Sequence, residues 1–178
     1  IFGGGLTGAI GGGYVANGNG YNGLFNISYA TQKWAANVNA VYRKVGNYTN
    51  GNGQEVLFSQ FEKMNLATNI RYRVSKNQIA RFDFIIDNGY NIGYEALPMD
   101  VAKKKKKILG ASYQWFLKGF LEEVNAKVYY NFINHAMDDS QRPDVPIRMD
   151  MPGHSETWGA FVEGESAKIG RQNFFTKL

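Results

Sequence analysis

One stretch of alternating residues, 123–132, constrains the fold of this chain more than any other. Its even positions are apolar and uncharged: Val124, Ala126, Val128, Tyr130 and Phe132. Its odd positions are polar or amphipathic: Glu123, Asn125, Lys127, Tyr129 and Asn131. Successive side chains of a β-strand point to opposite sides of the sheet, so this period of two predicts a strand with one apolar and one polar face. We interpret the apolar face as meeting lipid and the polar face as lining a wet interior.

The same alternation recurs along the chain and predicts eight strands and a partial ninth. They cover the ranges 6–16, 22–31, 35–46, 65–74, 79–87, 108–116, 121–135 and 155–167, with the partial strand at 173–178. Clusters of Asn, Gly and Ser separate the strands. Three connections are long, at 47–63, 88–107 and 136–154. We expect long and short connections to alternate strictly through the whole chain.

Transmembrane β-barrels combine these features. Their strands need about 9–11 residues to cross a bilayer, and short turns at one end alternate with longer loops at the other. Aromatic residues beside the short turns, such as Trp34, Tyr72 and Trp115, fit the interfacial bands of a barrel. We therefore predict an all-β fold, an antiparallel up-and-down transmembrane β-barrel, of which this chain supplies eight to nine strands. A soluble antiparallel sheet packed on a core gives the same alternation and stays an alternative, as does a small barrel closed by nine strands.

Composition argues against several other classes. The 178 residues include no Cys, which excludes disulfides and thiolate metal sites, and no run of eighteen apolar residues that a membrane helix requires. The net charge of +5 permits nucleic-acid binding. However, a quarter of the 20 basic residues lie in the block 103–107 and the rest are scattered, so we expect no nucleic-acid partner. No activated nucleophile with a neighbouring base occurs, and we expect no enzyme.

The two ends of the chain, at Ile1 and Leu178, resemble cuts in a longer protein. The first residues contain neither an initiator Met nor a signal peptide, and the last residues resemble the opening of another strand. We therefore expect residues 1–178 to be one segment of a barrel domain.

The alternating stretch continues into a His-x-Met pair that could bind a soft metal ion. His135 and Met137 keep the parity of the polar face, so their side chains would project side by side. Imidazole and thioether suit Cu(I), whereas Ca²⁺ and Mg²⁺ prefer oxygen. We predict a metal site at these two residues, with Met149 and Met151 as a secondary site. In the alternative interpretation His135 is a hydrogen-bonded residue at a strand end and the methionines pack in the loop. His154 is assigned a structural role.

Three runs in this part of the chain resemble a known family. They are Tyr-Tyr-Asn-Phe-Ile-Asn-His-Ala-Met-Asp-Asp at 129–139, Met-Asp-Met-Pro-Gly at 149–153 and Ser-Glu-Thr-Trp-Gly at 155–159. Together they resemble the barrel of TonB-dependent outer-membrane receptors, with a Met-Asp-Met-Pro-Gly variant like those of Bacteroidota. Within that superfamily the runs are most similar to the TonB-dependent copper receptors.

The resemblance implies a barrel of about 22 strands in the outer membrane of a Gram-negative bacterium. An N-terminal plug, expected outside 1–178, would close it, and TonB would supply energy for importing a scarce nutrient. His135 and Met137 would match the family's barrel ligands, with copper as the transported ion and no cofactor. The implied partners are the TonB complex, outer-membrane lipid or lipopolysaccharide, and an extracellular lipoprotein. A passive porin and a soluble or cell-surface β-sheet binding module are the alternative functions.

Overall fold

The computed structural model describes residues 2–143, 145–146, 148–168 and 172–178. In these ranges the regular structure is β throughout, without a helix. The strands are β1 (Gly5–Val15), β2 (Gly20–Ala30), β3 (Trp34–Val45), β4 (Phe61–Ser75), β5 (Gln78–Ile92), β6 (Asp100–Phe116), β7 (Leu121–Asp138), β8 (Asp150–Ser166) and β9 (Phe175–Lys177).

The nine strands form one sheet in which each strand lies beside its neighbours in the sequence. The order is β1-β2-β3-β4-β5-β6-β7-β8-β9, and every adjacent pair is antiparallel. This confirms the predicted all-β, antiparallel up-and-down class. The expected total of about 22 strands in a closed barrel stays a prediction.

The central strands are longer than the alternation predicted. β4 to β8 contain 15 to 18 residues each. Residues 100–107, predicted as part of a connection, belong to β6 and pair with β5 and β7. The backbone ladder continues here although the side chains on both faces are polar, so the sequence loses the period of two that marks a strand. The lysine block is therefore strand.

The connections differ between the two ends of the sheet. At one end, called the long-loop end below, they are 16–19, 46–60, 93–99 and 139–149. At the other, the short-turn end, they are 31–33, 76–77, 117–120 and 167–174, of which 169–171 lie outside the described residues. The expected strict alternation of long and short was wrong at 16–19. Gly18 and Asn19 both adopt positive φ there (87° and 47°), which makes a tight turn.

The strand registers keep an apolar face and a polar face separate. One rung of the apolar face crosses β4 to β8 through Ile70, Phe82, Ala111, Val128 and Ala160. On the polar face, hydrogen bonds join neighbouring strands: Asn69 Nδ2 donates to Asp83 Oδ1 (2.5 Å), and Asn65 Nδ2 donates to Asp87 Oδ1 (2.9 Å). The predicted division into two faces therefore holds through the middle of β4 to β8.

The apolar face is not covered by any other part of the described chain. Trp158 on this face is 77% exposed and Val128 is 56% exposed. Among the described residues, the buried apolar side chains are Ala35, Met99 and Val101. A soluble sheet packed on its own core would bury this face, so the described structure gives no support to that alternative.

Aromatic pairs lie on the apolar face at several heights. Near the short-turn end, the ring centroids of Trp34 and Tyr72 are 4.3 Å apart. Towards the long-loop end, those of Tyr130 and Trp158 are 4.6 Å apart. Such pairs stack across neighbouring strands and stabilise the sheet beyond the backbone ladder.

Among the described residues, no helix has the length and apolarity to span a membrane.

Candidate metal-binding site

The register between β7 and β8 brings together three of the four residues singled out for metal binding. Because β7 extends to Asp138, both His135 and Met137 lie within the strand rather than at its end. Their parity is that of Lys127 and Asn131, which places them on the polar face as predicted. Met151 on β8 is the direct partner of Met137.

The Met137–Met151 pairing places one residue of the predicted secondary site beside the predicted primary site. Side chains directly opposite on antiparallel strands have Cβ atoms about 4.5–5.5 Å apart, and i, i+2 neighbours on a strand lie about 7 Å apart. His135, Met137 and Met151 are therefore one cluster of an imidazole and two thioethers. Met137 is half-buried, whereas Met151 is 54% exposed. A 54% exposed thioether is accessible from solution.

Gly153 makes room for the imidazole of His135. Gly153 is the partner of His135 in the β7–β8 register. A Cβ atom built at Gly153 would lie 2.2 Å from Cε1 and 2.5 Å from Nε2 of the ring. The imidazole thus occupies the space that a side chain at Gly153 would fill. Among the described residues neither ring nitrogen of His135 takes part in a hydrogen bond, so either one can bind an ion in the tautomer that leaves it unprotonated.

Met137 also contacts the irregular end of β6. Its partner on that strand is Val101, while Lys103 pairs with Ala136, so Ala102 is an extra residue in β6. Such a β-bulge shifts the parity of the strand that carries it. Val101 consequently shares the face of Met137, and it is buried.

Lys104 is the partner of His135 on β6. A free ammonium group at this point would repel a bound cation. Its Nζ atom, however, lies 3.2 Å from Oδ2 of Asp87 on β5. This ion pair holds the ammonium group of Lys104 towards β5 and offsets its charge.

Met149 lies outside the cluster. It precedes the first residue of β8, its backbone N donates to Oδ2 of Asp139 (2.9 Å), and its side chain is 44% exposed. His154 lies on the apolar face, where Nε2 is 3.1 Å from Oε1 of Glu156 and the ring packs edge-on against Phe132. The expected structural role of His154 fits this placement, although no sequence pattern indicated Glu156 as its partner.

A buried ion pair organises the loops around the cluster. The guanidinium of Arg142 donates from Nε to Oδ2 (3.0 Å) and from Nη2 to Oδ1 (2.5 Å) of Asp100, and both side chains are more than nine-tenths buried. Nη2 also donates to the carbonyl of Tyr94 (2.8 Å), and the guanidinium lies 3.5 Å from the ring centre of Phe58. We call this group, Arg142, Asp100, Tyr94 and Phe58, the loop clasp. It joins all three long loops.

A second contact joins two of the same loops. Tyr48 Oη donates to Oε2 of Glu95 (3.1 Å), and this hydrogen bond to a carboxylate raises the pKa of Tyr48. The sequence singled out neither Asp100 nor Arg142, and Asp144 of loop 139–149 lies outside the described residues. No sequence signal links Asp100 to Arg142, which are 42 positions apart.

The described residues contain no group of three or more His, Asp or Glu side chains placed to hold a metal ion. That finding does not cover sites built from methionine, such as the cluster of His135, Met137 and Met151. Two thioethers and an imidazole form a neutral, soft donor set.

No protein-family model and no curated protein matches this sequence. Among solved structures, the fold is similar to that of the copper transporter OprC, with a TM-score of 0.82 at 20% sequence identity. The match covers 95% of this chain and 27% of the OprC chain. At this identity the likeness shows the fold. The chain has the strand arrangement of the part of OprC that it matches.

Proposed function

We propose that this chain is part of an outer-membrane β-barrel that imports copper, and that the ion passes through the cluster of His135, Met137 and Met151. The observation that carries the proposal is the β7–β8 register, which sets one imidazole and two thioethers on neighbouring rungs of one face. The fold likeness to a copper transporter supports the same cargo.

The exposed apolar face supports a membrane location. Side chains such as Trp158 and Val128 are exposed on this face. The hydrocarbon core of a membrane would bury them without a protein partner. The opposite face, with its Asn, Asp and Arg side chains joined by hydrogen bonds, suits a hydrated lumen. The cluster lies on the lumen side in this arrangement, where a transported ion would pass.

The ligand chemistry favours Cu(I). Thioether sulfur binds soft ions and has little affinity for hard ions such as Mg²⁺ or Ca²⁺. The donor set is neutral and incomplete, so the ion retains its charge and can be passed to further ligands. We propose that those ligands come from a plug outside this segment, as in the TonB-dependent copper receptors that residues 129–159 resemble. Energy coupling through TonB and an extracellular lipoprotein partner are part of the same proposal.

Metal analysis of the full-length protein tests the proposal. The protein is purified in detergent under reducing conditions, incubated with Cu(I) and desalted, and its copper content is measured by mass spectrometry. We expect stoichiometric copper in the wild type and its loss in a His135→Ala/Met137→Ala variant.

The matched control is His154→Ala/Met64→Ala. It also removes one imidazole and one thioether, but from the apolar face. It should retain copper. Equal copper in all three proteins, or none in the wild type, would reject the cluster as a copper site, and a conductance measurement in planar bilayers would then test for a passive channel.

A further inference from the structure

The lysine block alternates between the two faces of β6. Lys104 and Lys106 share the polar face with His135 and are half-buried. Lys103, Lys105 and Lys107 lie on the apolar face and are exposed. We call these three the lysine row. Since the rise along a strand is about 3.3–3.4 Å per residue, their side chains are spaced about 7 Å apart along one edge of the apolar surface.

The lysine row has no carboxylate partner in the described part of the chain. None of the salt bridges there involves Lys103, Lys105 or Lys107. By register, the same face of the sheet carries Asp100, Asp138 and Asp150 at the long-loop end of β6, β7 and β8, and Glu62 and Glu156 two strands away from β6. Four of these five have other partners: Asp100 pairs with Arg142, Asp138 accepts from Ser140, Glu62 accepts from Tyr42 and pairs with Lys44, and Glu156 contacts His154.

Neutral donors flank the middle of the row. Lys105 pairs with Asn88 on β5 and with Asn134 on β7, both on the same face. Two carboxamides beside an ammonium group offer N–H donors to the oxygens of a phosphate, while the ammonium supplies the charge.

An apolar groove begins directly below the row. Leu109 follows Lys107 on the same face, and it borders a shallow groove of about 660 Å³. Its walls on this face are Phe82, Leu109, Ala111, Val128, Tyr130, Trp158 and Ala160. The small side chains of Ala111 and Ala160 form the floor between larger aromatic residues, which gives a slot suited to a hydrocarbon chain.

We propose that the lysine row binds the phosphates of an anionic lipid in the outer leaflet, and that an acyl chain of the same lipid occupies the groove below. The inference rests on the proposed insertion of this face into a membrane. Lysine side chains at such an edge can keep their ammonium groups at headgroup level while their stems lie along the apolar surface. A row of cations above an apolar slot matches a molecule with an anionic head and an apolar tail. A soluble polyanion has no apolar part to fill the slot.

Native mass spectrometry of lipid binding tests the proposal. Full-length protein in detergent is titrated with bisphosphorylated lipid A and, separately, with the same lipid lacking both phosphates. Wild-type protein should retain the phosphorylated lipid. At about 1 kcal/mol per basic residue near a lipid phosphate, the variant Lys103→Gln/Lys105→Gln/Lys107→Gln should bind it about 100-fold more weakly.

A matched control removes three lysines from the opposite end of the sheet. Lys33, Lys76 and Lys118 each lie exposed in a short turn, and Lys33→Gln/Lys76→Gln/Lys118→Gln should bind lipid as the wild type does. Equal lipid retention by the two triple variants, or equal retention of the dephosphorylated lipid, would overturn the proposal. Displacement of the lipid by excess inorganic phosphate would also overturn it, because it would show a site for soluble anions.

Copper binding is measured on the same samples. The lysine-row variant should hold as much copper as the wild type, since the row lies on the face opposite His135. A protein that loses lipid but keeps copper supports both sites independently. A wild type that binds lipid but no copper would reject the proposed cargo and leave the lipid site in place.

Discussion

The imidazole of His135 lies over Gly153 of the neighbouring strand, and a Cβ at Gly153 would be 2.2 Å from the ring. Because β7 and β8 are fixed by backbone hydrogen bonds on both sides of this pair, only the imidazole can move to relieve such a contact. We therefore expect Gly153→Ala to turn the imidazole away from the cluster while the strands stay paired. The affinity for Cu(I) should fall about tenfold or more, the range seen when the orientation of a metal ligand is lost.

A competition titration against a chromophoric Cu(I) chelator measures this change. Gly23→Ala is the control, because no atom lies within 4 Å of a Cβ built at Gly23 on β2. An unchanged affinity in Gly153→Ala would show that His135 does not hold copper in the orientation described here.

Met151 and Met149 make a paired test of the cluster. Met151 is the register partner of Met137, whereas Met149 precedes the strand. Leucine replaces methionine at similar volume but removes the sulfur. Met151→Leu should weaken Cu(I) binding about tenfold, equivalent to about 1.4 kcal/mol, and Met149→Leu should leave it unchanged. X-ray absorption spectroscopy should show fewer sulfur neighbours around copper only in the first variant. The opposite ranking would contradict the proposed cluster.

The loop clasp should control the stability of the long loops. Arg142→Met leaves the carboxylate of Asp100 buried without its partner, and breaking a buried pair in this way costs about 3–5 kcal/mol. The expected result is faster amide hydrogen exchange in loops 46–60, 93–99 and 139–149, with little change at the short-turn end. Lys44→Met is the control, since Lys44 is about half exposed and its ion pair with Glu62 should contribute less than about 1 kcal/mol. Unchanged exchange in Arg142→Met would show that the clasp does not hold the loops.

Val128 tests the assignment of the two faces. It lies in the middle of the apolar face, while its neighbour Lys127 already carries a charge on the polar face. If lipid covers the apolar face, Val128→Arg should destabilise the folded protein by about 2–4 kcal/mol, measured by urea unfolding in lipid vesicles. Asn125→Arg, on the polar face, should change stability by less than about 0.5 kcal/mol. Equal effects of the two substitutions would argue against a lipid-facing surface.

The sequence predicted the parts of the fold that carry a binary pattern. The alternation of Val124 to Phe132 correctly separated the two faces, and extending it placed His135 and Met137 on the polar one. The pattern failed at 100–107, where consecutive lysines give no contrast between faces even though the backbone ladder of β6 continues.

Long-range partners could not be predicted in the same way. The pairing of Met137 with Met151 depends on how the loop 139–149 returns the chain, and loop composition does not fix a register. The loop clasp depends on Asp100 and Arg142 meeting across two loops, which no local spacing indicates. The copper cargo and the ligand roles of the cluster stay predictions.

The extra residue Ala102 in β6 has a consequence for comparing this strand among related chains. Val101 and Lys103 have the same parity in the sequence, yet they lie on opposite faces because the bulge falls between them. Removing Ala102 would restore regular pairing with β7 and leave both residues on their present faces there, whereas Asn91 of β5, between the partners of Val101 and Lys103, would become the extra residue on the other side. Chains that lack one residue at Ala102 and one at Asn91 would therefore keep both the loop clasp and the lysine row. An alignment that places this gap within 103–107 would instead exchange the inward and outward lysines that precede the gap, so the position of a single gap decides which residues are compared.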